Sequence, residues 1–313
     1  MSDTVPTTRR SPEVGSVTAP SAPLPFWRRT ARGFSQCAFQ ANEVTGLLFI
    51  AAAAAFNWRM GVFFVLSVVL GTATAVALRA DAGLLDLGLF GFNSGLMGLA
   101  LGNFFHPDAA LWVAVVVLAV VVAALTVAMA RWVPFPFLAA PFIVLFWVLW
   151  PLATTLHLDV VELGAFGTSQ PEFLKGTVVA LGSTLFAAGV VPGVLFLAGI
   201  AVANWRHAVV AVLGAAIGIS LAIHVGVPGD AINSGFIGFN AVLAAVAAYV
   251  VIAEDLRMSV LAAVLATWIF SVINRNAPFP ALASGFVLTI WGLLLLALIN
   301  PWFTGRSTAA RAG

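Results

Sequence analysis

The sequence predicts an all-α polytopic membrane protein: two inverted repeats of about five transmembrane helices each, with short or broken pore helices. Three observations carry this expectation. First, of 313 residues 62% are hydrophobic and only 8% charged, where a soluble domain carries about 25% charged residues. So few charges cannot clothe a water-facing surface, and most of the exterior must meet lipid. Second, residues 62–78, 109–130, 138–152, 208–223, 236–252 and 285–299 are long apolar runs almost free of charge. About 20 such residues cross a bilayer as a helix, and a helix satisfies its own backbone there. The runs do not alternate polar and apolar positions, which argues against a β-barrel. Third, the chain repeats itself at an offset of 147 residues.

In chain order, residues 1–33 read as a disordered cytoplasmic tail. Their start is rich in Ser, Thr and Pro and lacks the apolar core of a secretory signal. Arg28, Arg29 and Arg32 stand just before the first apolar run, and a basic cluster there favours a cytoplasmic N-terminus. Residues 34–151 form the first half, 152–175 a polar connector, 176–301 the second half and 302–313 a short tail. Arg306 and Arg311 are the only charges of that tail, which places the C-terminus on the same side and requires an even number of spans. A multi-pass location in the cell's inner (plasma) membrane follows.

The duplication is visible in three blocks. Phe39 matches Phe186, Gly46 matches Gly193, and Asn57-Trp58-Arg59 matches Asn204-Trp205-Arg206. Gly71, Gly88 and Gly91-Phe92-Asn93 match Gly218, Gly235 and Gly238-Phe239-Asn240, and Leu96 matches Leu243. From Pro134, PFPFLAAPFIVLFW matches PFPALASGFVLTIW from Pro278, with the offset shortened to 144. An odd number of spans per half inverts one half against the other. Inverted repeats place a permeation site near the midplane, among interrupted helices. The Gly-Phe-Asn stretches and the prolines at 134, 136, 141, 278 and 280 are the expected interruptions. Any one such Gly is more often a packing residue; the paired breaks point to a site.

On these residues the chain resembles the urea-transporter family, from Phe34 to about Trp302. Gln36 and Phe39 with Gly46 resemble the family's pore-mouth segment, and Gly91–Leu96 and Gly238–Leu243 its Gly-Phe-Asn segment. Leu138–Phe142 and Leu282–Phe286 resemble its Leu-x-Thr-x-Pro-Phe segment. The resemblance implies passive, facilitated diffusion of urea through a pore in each protomer of a homotrimer, with no cofactor. It implies that Phe39 with Phe92, and Phe186 with Phe239, form two slots for a flat amide, with a ladder of backbone oxygens between. Leu96 and Leu243 would line the narrow middle, beside Gln36, Cys37 and Thr184. Three departures from the family matter, one being that its Asn-Asn-Pro stretch after the pore-mouth segment is Ala41-Asn42-Glu43 in the first half and Ala188-Gly189-Val190 in the second. Ser183 stands where a Gln or Glu belongs, and Ala139 and Ala283 stand where threonines belong. Another small neutral solute (a short amide, ammonia or water) is the alternative substrate, and a coupled transporter a weaker one.

Other residues are less telling. Gln36 is either a pore amide or a helix-bridging one. Glu43, inside an apolar run, is either half of an ion pair or a residue of the pore entrance, since Val190 replaces it in the second half. The four histidines, His106, His157, His207 and His224, share no metal spacing and occupy no equivalent positions. One cysteine, Cys37, excludes an intrachain disulfide and a paired thiolate metal site. No phosphate loop, nucleophile elbow or nucleic-acid patch occurs, and the matched lining positions hold none of the deep ionisable groups that coupling or catalysis needs. The protein is expected not to be an enzyme.

Overall fold

A computed structural model describes residues 23–133, 135–162 and 166–299. Both terminal tails expected from the sequence lie largely outside them, at residues 1–22 and 302–313. Among the described residues the regular secondary structure is helical, apart from one isolated bridge between Phe105 and Val160.

The first half consists of α1 (Phe26–Ser35), α2 (Glu43–Phe56), α3 (Trp58–Ala77), α4 (Ala82–Asp86), α5 (Phe92–Phe104), α6 (Ala109–Trp132) and α7 (Ala140–Leu152). The second repeats it element for element. It has α8 (Phe173–Ser183), α9 (Val190–Ala203), α10 (Trp205–His224), α11 (Gly229–Asn233), α12 (Phe239–Ala247), α13 (Leu256–Asn276) and α14 (Ser284–Ile299). α3, α6, α10 and α13 are long and apolar enough to cross a membrane alone; α1 and α2 reach that length only as a pair bent by 66°, the geometry of a broken span or a re-entrant loop. α7, α8, α9, α12 with its π-helical extension, and α14 are shorter apolar helices. The protein is a multi-pass membrane protein.

Caps explain why the helices begin where they do. Asn57 and Asn204 accept from the N–H groups of Arg59 and Arg206 at 3.0 and 2.9 Å. The most conspicuous repeated motif, Asn-Trp-Arg, is therefore an N-cap followed by an exposed Trp under its neighbouring guanidinium. Asn42 caps α2 and Asp108 caps α6, through Thr45 and Leu111. Along α6, Leu111, Val115, Ala119, Val122 and Thr126 form the buried stripe, while Val113, Val116, Val117 and Val121 are exposed. A helix apolar on both faces turns one of them to lipid.

Two expectations need correction. Residues 1–33 were expected to form a disordered cytoplasmic tail, but α1 begins at Phe26. Its arginines are paired instead of solvated: Arg28 and Arg32 with Glu43 at 2.7 and 3.1 Å, Arg29 with Asp86 at 2.7 Å. Glu43 is thus half of an ion pair. The Gly-Phe-Asn stretches do not interrupt a helix; they start one. The break lies just ahead, where Gly88 and Gly235 take φ of +84° and +67°. A Cβ at either would collide with the backbone, of Arg32–Gly33 in one case and of Val179–Ala180 in the other, so only glycine fits.

Candidate functional site: a neck between two vestibules

Each half delivers the same parts to one place. α1 continues through a single 3-10 turn, Gln36–Ala38, and stops at Phe39, whose φ is +61°. α8 stops in the same manner at Phe186, φ +58°. A left-handed conformation is rare for a bulky residue, and both phenylalanines adopt it at matched positions. The bonds closing these ends fall on the carbonyls of Ser35 and Gln36, and of Gly182 and Ser183. Among the described residues no such main-chain bond reaches the Cys37 or Thr184 carbonyl. Helix C-termini carry partial negative charge, about half an elementary charge.

The opposite wall is held by two amides. Asn93 donates through Nδ2 to the Leu138 carbonyl at 3.0 Å and accepts from Phe142 N–H at 3.3 Å. Asn240 treats Leu282 and Phe286 alike, at 2.9 Å for both. Leu138 and Leu282 are themselves left-handed, at +48° and +51°. Sequence reasoning marked these asparagines only as part of a motif. Their bracket joins positions more than 40 residues apart, and no local pattern signals it.

Between these parts runs a narrow cavity of about 20 Å³, little more than the roughly 10–15 Å³ that the centre of one water needs. Gln36, Cys37, Phe39, Phe92, Leu96 and Ala139 line it from the first half. Thr184, Phe186, Phe239, Leu243 and Ala283 line it from the second, with Leu138, Phe142 and Phe286 completing the wall. None of these is Asp, Glu, Lys, Arg or His. Eleven of the twelve residues singled out in the sequence therefore share one neck; Ser183 does not. It lines the larger of two flanking vestibules, about 620 Å³, which shares Phe186 and Phe239 with the neck. The other vestibule, about 350 Å³, shares Gln36, Phe39, Phe92 and Leu138 with the neck. Equivalent residues line the two: Phe135, Pro136 and Leu138 in one, Phe279, Pro280 and Leu282 in the other.

Each polar side chain donates a hydrogen bond to a carbonyl. Gln36 donates from Nε2 to the Leu87 carbonyl at 2.8 Å. Ser183 donates to the Ser234 carbonyl at 2.9 Å, the equivalent acceptor in the second half. Thr184 turns its hydroxyl back onto the Leu181 carbonyl at 2.6 Å, so it presents little polarity to the neck. The four phenylalanines are each propped by another ring. Phe39 meets Phe286 edge-on at 5.9 Å, and Phe186 meets Phe142 edge-on at 6.3 Å. Phe92 stacks on Phe137 at 6.2 Å and Phe239 packs against Phe270 at 5.4 Å.

The neck thus offers aromatic faces, main-chain oxygens and no counter-charge. A family model, that of the urea transporters, matches residues 27–298. The chain belongs to the urea transporter family. Relatives include urea transporter 1 of Rattus norvegicus, 24% identical over 89% of this chain and 79% of its own length. Urea transporter 1 of Mus musculus is 23% identical with the same coverage. Like other urea transporters the chain is a membrane transport protein, and the matched residues run from α1 to the end of α14.

Proposed function

We propose that this protein is a passive channel that lets urea diffuse down its gradient through the neck. The observation that carries this reading is the neck's construction: four matched phenylalanines, two helix C-termini and no Asp, Glu, Lys, Arg or His side chain. Urea is flat, uncharged and rich in donors. Each donor left unpaired inside would cost about 1–3 kcal/mol, and carbonyl oxygens at the ends of α1 and α8 avoid that cost. The rings of Phe39 and Phe92 on one side, and of Phe186 and Phe239 on the other, take the flat π-surface. An ion would shed its water and meet no compensating charge. Energy coupling has no group to act through. The matching of residues between the two vestibules supports an inverted arrangement of the halves, with the pore at their interface. A homotrimer in the inner membrane, with both termini in the cytoplasm, completes the proposal on the strength of family membership and the basic residues beside α1.

The test is stopped-flow uptake by proteoliposomes of urea, methylurea, acetamide, formamide and ammonia. Urea is expected to enter faster than into empty vesicles, with no response to voltage or a proton gradient. A rate equal to that of empty vesicles rejects the channel; preference for another solute reassigns its substrate. Losing one ring should cost flux by about 2–10-fold, the worth of one aromatic contact. Phe92→Ala or Phe239→Ala at undiminished flux would remove the slot assignment.

A further inference from the structure

We infer that His207, in the second half, is a positioning residue for the first-half mouth of the neck, and that it works only as the neutral imidazole protonated on Nδ1. The inference rests on the channel reading above. Gln40 follows the left-handed Phe39 and is 3% exposed. Its Nε2 donates to the Ala38 carbonyl at 2.7 Å, its N–H donates to the Ser35 carbonyl at 3.2 Å, and its carbonyl accepts from Ser35 Oγ at 2.6 Å. Gln40 therefore holds the turn that aims Cys37 and Phe39 at the neck. His207, half-buried at the start of α10, holds Gln40. Its Nδ1 lies 3.1 Å from Gln40 Oε1 and its Nε2 lies 3.2 Å from Asn204 Nδ2.

The protons follow from the partners. A carbonyl oxygen only accepts, so the Gln40 atom on Ala38 is the nitrogen and its oxygen faces the ring. Nδ1 must then be a donor. Asn204 spends its oxygen on Arg206 N–H, capping α10 at 2.9 Å, and so turns its NH2 to the ring. Nε2 must then be a lone pair. An imidazolium would set N–H against NH2. Either Asn204 turns over and gives up the cap, or the ring leaves Gln40. The ionisable groups around the ring are Tyr249, edge-on at 5.7 Å, Glu254 within electrostatic reach, and Arg206, whose guanidinium lies over Trp205. The device is one-sided. Ala187 stands where the second half would need Gln40, and Met60 where the first would need His207.

Urea flux of the wild-type protein is expected to fall reversibly by roughly fivefold between about pH 8 and about pH 5, where an imidazole gains its charge, a factor equal to one ordinary hydrogen bond. In His207→Gln a carboxamide supplies one donor and one acceptor without titrating. Flux should persist and the pH step vanish. In Gln40→Ala flux should be lower at every pH, with no step. A flat wild-type profile, or an unchanged step in His207→Gln, overturns the inference. No urea flux above empty vesicles at pH 8 rejects the channel reading itself, and the inference with it. A second readout needs no variant. Nitrogen-15 shifts of the four histidines at neutral pH must include a ring protonated on Nδ1, and four rings protonated on Nε2 would overturn the assignment.

Discussion

Asn93 and Asn240 each spend both ends of one amide on backbone groups at the start of a facing helix. Each is fully buried, and each closes a left-handed leucine carbonyl and a helix-start N–H at once. Asn93→Leu keeps the volume but orphans the Leu138 carbonyl and the Phe142 N–H. A buried orphan costs about 1–3 kcal/mol, so the thermal midpoint in detergent should drop clearly, and Asn240→Leu should match it. Midpoints equal to wild type would mean that the brackets are ornamental. At this scale the sequence was half legible. The neck's phenylalanines stood out because they recur at one offset. The left-handed turns of Phe39 and Leu138 did not, because no local rule assigns positive φ to such residues. Nor did His207 stand out: its meaning depends on Gln40, 167 positions away.

At the level of helices the bend between α1 and α2 matters most, since it ends α1 at the neck. Gly46 and Gly193 permit it. A Cβ at Gly46 would fall on the Ala31 carbonyl oxygen and one at Gly193 on that of Val178, the same contact in both halves. Neither neighbour is a side chain that can swing away. Gly46→Ala and Gly193→Ala should each lower stability by about 1–3 kcal/mol, the usual cost of overpacking. Chemical denaturation in mixed micelles checks this, and unchanged stability in both would mean that the bend is not set there. The long helices were easy to foresee from their apolar runs. Their boundaries were not: the start of α1 reads as part of the Ser/Thr/Pro-rich tail, and the ion pairs of its arginines with Glu43 and Asp86 depend on residues further along the chain.

Across the whole molecule the two halves interlock through paired contacts. α2 packs on α9, where Phe49 stacks on its own counterpart Phe196 at 4.6 Å, and Thr45 donates to the Gly199 carbonyl at 2.7 Å. Trp147 Nε1 donates to the Pro280 carbonyl at 2.9 Å, and Trp291 Nε1 to the Pro136 carbonyl at 2.8 Å. The duplication was legible from residue matches alone. Which matches reach across was not, because a shared offset says that two residues are equivalent, not that they touch. If the halves are cut apart in the connector and produced as two polypeptides, urea flux should return only when both are present. Flux from either fragment alone would contradict this.

The swapped props of the neck have a consequence for origins. Phe39 leans on a ring from the later copy, and Phe186 on a ring from the earlier one. The seam at these two contacts therefore belongs to neither copy. A single-copy ancestor would have owned one partner of each of these two contacts, and on the proposed channel reading it would have needed a twin to complete them. Gene fusion would then have supplied no new passage. It would have fixed the partnership at one to one and freed each copy to differ, as Gln40 and Ala187 now do.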